Sequence, residues 1–162
     1  MCIRDRDITI PFQMSSVEFF TMVKEHLNEN GVMVVNMNMR GNNEGNINQY
    51  LSDTIASVFD HIVTVDVDGS TNRELYASSN ADMVKTLENN ANETGHSDLR
   101  DMMLHVADTS SVYEAGDYIM TDDKAPVELL GMQVIDQLIQ GEVAYYKDIF
   151  EKDGINGLLE SL

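Results

Sequence analysis

A strand–helix–strand pattern in residues 32–67 limits the possible folds more than any other feature of this sequence. The run 32–37 is short, apolar and rich in β-branched residues, which is typical of a strand buried on both faces. Residues 61–67 predict another strand. Between the two runs lies an apolar stripe at helical spacing, made of Ile47, Leu51, Ile55 and Val58. This order predicts a βαβ unit with a right-handed crossover, and therefore parallel strands.

A turn and a third strand follow at once. Residues 68–72 have the composition of a tight turn, and residues 74–78 again look like a strand. Because the link is so short, we expect strands 61–67 and 74–78 to form an antiparallel hairpin. The fold class predicted is α/β: a mostly parallel sheet that ends in an antiparallel hairpin, with helices after it.

Helical patterns account for most of the remaining chain. Ser15 and Glu18 have the spacing of a capping box and predict the start of a helix. Short amphipathic helices are predicted near residues 83–87 and 99–106, with a polar connector over 89–95 between them. Further helices follow from Pro126, with an interruption at Gly141. Residues 108–120 are predicted to be irregular, with a short extended piece at 118–120.

Composition excludes several classes of partner. The chain has 162 residues, which suits one domain, and a formal net charge of −18 from 28 acidic and 10 basic residues. Nucleic acids and anionic membranes both attract basic surfaces, so we expect this chain to bind neither. An acidic protein can favour a cationic ligand such as a polyamine, although a solvated acidic surface explains the same charge.

Cysteine, histidine and hydropathy patterns add further limits. Cys2 is the single cysteine, and the four histidines are scattered, so no metal site is predicted. His105 falls near Asp98 and Asp101 on one predicted helix, which we interpret as a polar face. No apolar run is long enough to span a membrane and no secretory h-region is present, so we expect no membrane contact from this segment and a cytoplasmic location.

The segment 121–128, Thr-Asp-Asp-Lys-Ala-Pro-Val-Glu, is the most distinctive short motif. Pro126 suits the first position of a helix, and Glu128 would then face the positive end of the helix dipole. Asp122 and Asp123 have two interpretations at this stage. They can be caps and first-turn charges of that helix, or they can line a ligand cleft.

Three stretches resemble the spermidine synthase-like proteins, or polyamine aminopropyltransferases. Residues 10–20 resemble that family's loop and helix after its fourth strand, residues 31–36 its fifth strand, and residues 121–128 its Thr-Asp-Asp-x-Ala-Pro-Val-Glu signature. The resemblance covers about residues 8–140 and implies the C-terminal half of a Rossmann-like, class I methyltransferase fold. Residues 1–7 are then expected to be a non-native or truncated start, and residues 141–162 a C-terminal helical extension.

The resemblance also implies a function. The family moves an aminopropyl group from decarboxylated S-adenosylmethionine to an amine, and this co-substrate is not a tightly bound cofactor. Transferred to this sequence, Gln13, Asp122 and Asp123 are the expected amine-binding residues, and Asn36 is the expected residue on the adenosyl side. Carboxylates fit such a site because they orient a cationic amine and can accept its proton.

The sequence departs from the family where the chemistry is concentrated. No Gly-x-Gly run follows a strand, and no strand precedes Asp5 and Asp7, which lie near the expected position of the catalytic Asp. The catalytic residues are therefore left unassigned, and we expect the chain alone to be inactive or barely active. An incomplete sheet should leave an apolar strand edge, through which we expect aggregation or a homodimer.

Two other functions remain open from the sequence. One is a generic S-adenosylmethionine-dependent methyltransferase that acts on a small molecule. The other is a noncatalytic acidic α/β module that binds a partner protein. Only the first of these two predicts affinity for adenosyl ligands.

Overall fold

Four strands form one sheet at the centre of the described structure. The computed structural model describes residues 11–37 and 44–161. The strands are β1 (Val32–Met37), β2 (His61–Asp66), β3 (Arg73–Ser78) and β4 (Ser111–Val112). Their order in the sheet is β1-β3-β2-β4. The first three strands were predicted from the sequence to within one residue, and the two-residue β4 was not.

The pairing of the strands corrects the predicted parallel sheet. Every hydrogen-bonded strand pair of the described residues is antiparallel, because β3 lies between β1 and β2 and runs against both. β1 and β2 therefore point the same way without touching each other. The physical reason is the tight turn after β2, which places β3 directly beside β2. β1 then pairs with the other edge of β3 and not with β2. The predicted β2–β3 hairpin is confirmed.

The helices surround this sheet in chain order. After a 3₁₀ turn at Phe12–Met14 they are α1 (Val17–His26), α2 (Ile47–Ala56), α3 (Met83–Glu93), α4 (Ser97–Thr109) and α5 (Val127–Ser161). The predicted connector over 89–95 is wrong in its first part, because α3 continues to Glu93 and buries Ala91. The extended piece lies at Ser111–Val112, not at the predicted 118–120.

The long helix α5 is broken at a different glycine from the one predicted. Helical geometry continues through Gly141, whereas Gly154 has φ 64° and ψ −157°. Only a residue without Cβ adopts such a conformation at little cost, so Gly154 can end one helical segment and start the next. The predicted boundary between a domain over 8–140 and an extension over 141–162 stays a prediction, and α5 runs across it.

The amino-terminal cap of α1 is one residue later than the predicted capping box. The side chain of Ser16 accepts a hydrogen bond from the Phe19 amide and caps the helix. Ser15 cannot take that role, because its hydroxyl donates to the Phe12 carbonyl, 2.8 Å away, in the preceding 3₁₀ turn. Glu18 is consequently in the first turn, where a carboxylate favours the helix dipole.

One face of the sheet carries the main core. Met37, Ile62, Leu75 and Ala77 point to this face and pack with Phe20 of α1 and with apolar residues of α2. The α2 members of this core are Ile47, Leu51 and Ile55. These three residues belong to the helical stripe found in the sequence, so the buried face of α2 was correctly predicted.

The other face is covered unevenly. Val63 and Val65 of β2 are buried on this face, where α4 packs against the strand. Val32 and Val34 of the edge strand β1 keep 41% and 48% of their surface exposed. The burial on both faces that was predicted for residues 32–37 is therefore wrong for β1, whereas β2 is buried on both faces. No helix in the described part of the chain is both long and apolar enough to cross a membrane.

Candidate functional site

The distinctive acidic motif forms a tight turn. The Thr121 amide donates to the Lys124 carbonyl at 3.2 Å, and the Lys124 amide donates to the Thr121 carbonyl at 2.9 Å. These two hydrogen bonds place Asp122 and Asp123 at the two central positions of the turn, and both residues are exposed. We call residues 121–124 the acidic turn. Its geometry presents two neighbouring carboxylates to solvent.

The acidic turn rests on the amino terminus of α1. The Val17 amide donates to the Met120 carbonyl at 2.9 Å, just before the turn. The Ser16 hydroxyl donates to Asp122 Oδ1 at 2.5 Å, and the Asp122 amide donates to Glu18 Oε2 at 3.1 Å. Two stretches about a hundred residues apart in sequence thus make one acidic surface. The positive end of the α1 dipole stabilises the carboxylates gathered there.

These contacts exclude one of the two interpretations of the paired aspartates, and the ligand cleft stays a prediction. The α5 helix starts at Val127, and the Pro126 carbonyl accepts its first hydrogen bond, from the Leu130 amide at 3.0 Å. The acidic turn ends before this point, so the interpretation of Asp122 and Asp123 as caps and first-turn charges of α5 is wrong. Asp122 instead bonds to the capping serine of α1.

The other two predicted site residues lie in different places. Gln13 is exposed in the 3₁₀ turn that leads into α1, three positions before Ser16. Asn36 is exposed in β1, directly opposite Glu74 of β3. No hydrogen bond among the described residues joins Asn36 to the acidic turn. Gln13 is thus close in sequence to the serine that contacts Asp122, and its place in an amine site, like that of Asn36 on the adenosyl side, stays a prediction. The segment 38–43, and Asp5 and Asp7, lie outside the described residues.

A buried carboxylate, which the sequence analysis missed, holds the segment that leads to the acidic turn. Asp53 of α2 keeps only 1% of its surface exposed. Its Oδ1 accepts from the Tyr113 hydroxyl at 2.6 Å and from the Gly116 amide at 3.0 Å, and its Oδ2 accepts from the Tyr118 amide at 3.1 Å. The carboxylate thus satisfies three donors of one irregular segment, which has little secondary structure of its own.

Thr54, the next residue of α2, also binds the segment that leads to the acidic turn. The Thr54 hydroxyl accepts from the Met120 amide at 2.9 Å and donates to the Tyr50 carbonyl at 2.6 Å. A signal for this role existed in the sequence, because Thr54 falls three positions after Leu51 and seven after Ile47, on the apolar face of the helix. A polar residue on a buried face needs a partner.

Gly116 shows how closely the segment approaches α2. A Cβ at this position would lie 2.5 Å from Asp53 Oδ2 and 3.0 Å from Asp53 Cγ. Any side chain would therefore displace the carboxylate or the backbone. The glycine permits the hydrogen bond from its own amide to Asp53.

The Tyr113 hydroxyl should be the last phenol to ionise in the folded protein. Burial, together with its hydrogen bond to Asp53, raises the pKa of Tyr113 far above its usual value of 10. Because the folded-state pKa is raised, the stabilisation is complete below pH 10 and is lost as the pH rises through the folded-state value. Alkaline titration of tyrosine absorbance should show a late step, coincident with unfolding, that Tyr113→Phe removes. A late step of unchanged amplitude in that variant would contradict the assignment.

His105 has a polar contact outside its own helix. Its Nε2 lies 3.3 Å from Asp68 Oδ2, in the turn between β2 and β3. His105, Asp98 and Asp101 are all exposed on α4, which agrees with the predicted polar face. Among the described residues, no group of three or more histidine, cysteine, aspartate or glutamate side chains is arranged to hold a metal ion.

Comparison with known proteins bears on these contacts. No protein-family model matches the chain. A curated protein of Bifidobacterium longum (strain NCC 2705), described as a "Probable polyamine aminopropyl transferase", is 49% identical over 174 aligned positions that cover 97% of this chain. The resemblance to the spermidine synthase-like proteins is confirmed. The chain spans 39% of the length of that relative.

Two of the stretches that resemble the family are in contact in the structure. The three stretches on which the resemblance was based include the two that meet at the acidic turn, since Ser16 belongs to the first and Asp122 to the third. The α/β character of the chain agrees with the relationship, whereas its mostly parallel sheet was corrected above. The contact between Ser16 and Asp122 joins two of the stretches that resemble the family.

Proposed function

We propose that this chain is part of a spermidine synthase-like transferase that moves an aminopropyl group from decarboxylated S-adenosylmethionine to an amine. The acidic turn would bind the cationic amine, with Gln13 at its edge. Asn36, at the end of β1, would face the adenosyl side of the cleft. The C-terminal half of a class I methyltransferase fold is the proposed architecture of the whole unit.

The observation that carries this proposal is the position of Asp122 and Asp123. Both carboxylates are exposed, they are adjacent, and Glu18 of α1 adds a third acid beside them. An ammonium group has several donors, so it can make charge-assisted hydrogen bonds to more than one carboxylate. The similarity to a relative described as an aminopropyl transferase supports the choice of an amine over other cations.

The reaction itself needs orientation and proton acceptance. The neutral nitrogen of the amine attacks the methylene carbon that carries the sulfonium, a C–N bond forms, and the C–S bond breaks with its electron pair moving to sulfur. The sulfonium becomes a neutral thioether, and the new ammonium group loses a proton to a carboxylate or to water. Carboxylates that hold the far end of a diamine would align the reacting nitrogen for this attack.

Transfer by this chain alone is proposed to be absent or slow. No Gly-x-Gly run follows a strand in its 162 residues, and such a run is what resembling proteins use to approach the adenosyl ligand. Amine binding depends on the acidic turn, which is present. Binding and transfer are therefore separable in this protein.

Titration calorimetry tests the proposed function directly. Putrescine, decarboxylated S-adenosylmethionine and ordinary S-adenosylmethionine would each be titrated into this chain and into the full-length Bifidobacterium relative as a reference. We expect putrescine to bind both proteins. For the reference protein, we expect decarboxylated S-adenosylmethionine to bind more tightly than the ordinary form.

The same titrations can also contradict the proposed function. Tighter binding of ordinary S-adenosylmethionine would favour a methyltransferase, the alternative left open by the sequence. No binding of putrescine to either protein would contradict the proposed role of the acidic turn. No binding of any of the three ligands would leave the noncatalytic acidic module as the better description.

A further inference from the structure

The helix α5 uses only its first turns to join the core. Val127 and Leu130 are buried, and α5 packs there against α2. The helix then continues to Ser161. Most of its large apolar side chains after Gly131 that the structure describes are exposed. A long helix of this kind needs a partner for its apolar surface.

Six large apolar residues of α5 form one continuous stripe. Six residues repeat at intervals of three or four positions: Met132, Ile135, Ile139, Val143, Tyr146 and Phe150. With about 100° of rotation per residue, all six fall within a sector of roughly 80° on one side of the helix. Four of them keep between 50% and 60% of their surface exposed, and the other two are half-buried. We call these six residues the outer stripe; it lies wholly before the break at Gly154.

The outer stripe has a symmetrical arrangement. Met132 and Phe150 lie nine positions before and nine after residue 141, and Ile139 and Val143 lie two before and two after it. Ile135 and Tyr146 nearly match at six and five positions. If a second copy of α5 lies antiparallel across residue 141, each apolar residue meets an apolar residue. A two-fold interface requires this kind of self-complementary surface.

One pair of opposite charges beside the stripe favours the same arrangement. Asp136 and Lys147 are exposed and lie on the same flank of the outer stripe, five positions before and six after residue 141. Lys147 lies 3.8 Å from Glu151 of its own helix, and in an antiparallel pair it also lies against Asp136 of the other copy, so two further ion pairs form at once. In a parallel pair the two residues are about 16 Å apart along the helices and cannot meet.

We propose that this chain forms a two-fold symmetric homodimer through the outer stripes of two antiparallel α5 helices. The other exposed apolar surface is the edge strand β1, where Val32 and Val34 are uncovered. That edge has fewer exposed apolar side chains, and no pair of opposite charges marks a symmetrical contact there. The stripe is about 27 Å long, short for a helix pair, so the dimer is expected to dissociate in the micromolar range.

Sedimentation equilibrium on the 162-residue chain tests the dimer. The wild-type protein should be dimeric at about 100 μM, roughly a hundredfold above a micromolar dissociation constant. Val143→Asp places a charge next to the two-fold axis and should make the protein monomeric with an unchanged helical circular dichroism signal. Tyr145→Asp is the matched control, because Tyr145 is equally exposed on the same helix but lies outside the outer stripe.

A charge exchange tests the antiparallel direction independently of packing. Lys147→Asp should weaken the dimer about tenfold or more, since it sets two pairs of acids against each other. The double variant Asp136→Lys with Lys147→Asp restores opposite charges only in the antiparallel arrangement, so it should recover most of the wild-type affinity. Because both positions are exposed, neither variant should affect folding.

Three results would overturn the proposal. One is a wild-type chain that stays monomeric at 100 μM. Another is a dimer that Val34→Asp dissociates while Val143→Asp leaves it intact, which would assign the contact to the β1 edge. The third is failure of the double charge exchange to recover the affinity lost in Lys147→Asp, which would exclude the antiparallel register.

Discussion

Replacing Asp53 with alanine is expected to lower the free energy of unfolding by about 3 kcal/mol or more. The loss is large because the carboxylate is 1% exposed and serves three donors. Without it, the Tyr113 hydroxyl and the amides of Gly116 and Tyr118 lose the acceptor that holds their segment to α2. Urea unfolding followed by circular dichroism would measure the change as a lower midpoint at constant slope.

The matched control for this prediction is Asp117→Ala. Asp117 lies in the same irregular segment but is exposed, so its removal should change the free energy of unfolding by no more than about 0.5 kcal/mol. Gly116→Ala should disrupt the same contact, because the added Cβ would clash with the Asp53 carboxylate. Equal stability of the Asp53→Ala and Asp117→Ala proteins would show that the buried carboxylate does not hold the segment.

Replacing Asp122 with asparagine should weaken putrescine binding about tenfold to a hundredfold, if the acidic turn binds the amine as proposed. A hydrogen bond to a charged partner contributes roughly 1.5–3 kcal/mol, which corresponds to that range. Asparagine keeps an acceptor for the Ser16 hydroxyl, so the contact with α1 should survive. Asp123→Asn should act in the same direction, since Asp123 is the exposed neighbour in the turn. Calorimetry with putrescine measures both effects.

Asp108→Asn is the control for the loss of charge alone. Asp108 is exposed near the end of α4, a helix that packs on the other face of the sheet. The wild-type affinity for putrescine should also fall as salt is added, because exposed charges are screened within about 10 Å at 0.1 M ionic strength. If Asp108→Asn weakens binding as much as Asp122→Asn does, the net charge of the protein attracts the amine and the acidic turn has no special role.

Local patterns in the sequence were sufficient for most of the secondary structure. The β-branched runs at residues 32–37 and 61–67 became strands, and the stripe of Ile47, Leu51 and Ile55 became the buried face of α2. These features depend on neighbours a few positions apart, which is why periodicity reveals them. Several errors fell at helix ends and interruptions: the cap of α1 was predicted at Ser15 and lies at Ser16, and the break in α5 was predicted at Gly141 and lies at Gly154. At such positions a single hydrogen bond or dihedral angle determines where the helix ends.

The candidate site was only partly visible in the sequence. The resemblance pointed to the acidic motif and to Gln13, but the contact between Ser16 and Asp122, which joins residues 106 positions apart, could not be predicted. The role of Asp53 was missed, because its partners follow it by about sixty positions in a segment without a regular pattern. Asn36 was placed on the adenosyl side by the resemblance, and that role stays a prediction.

The sequence by itself determined the elements of this protein: where the three longer strands run, which face of α2 is apolar, the strong negative charge, and the motif that resembles the aminopropyltransferases. The tertiary structure decided how the elements meet. It set β3 between β1 and β2, buried Asp53 under residues 113–118, and placed the acidic turn on α1. The physical reason is range: periodicity reports interactions between near neighbours, whereas these contacts depend on hydrogen-bond donors and acceptors that the chain brings together only when it folds.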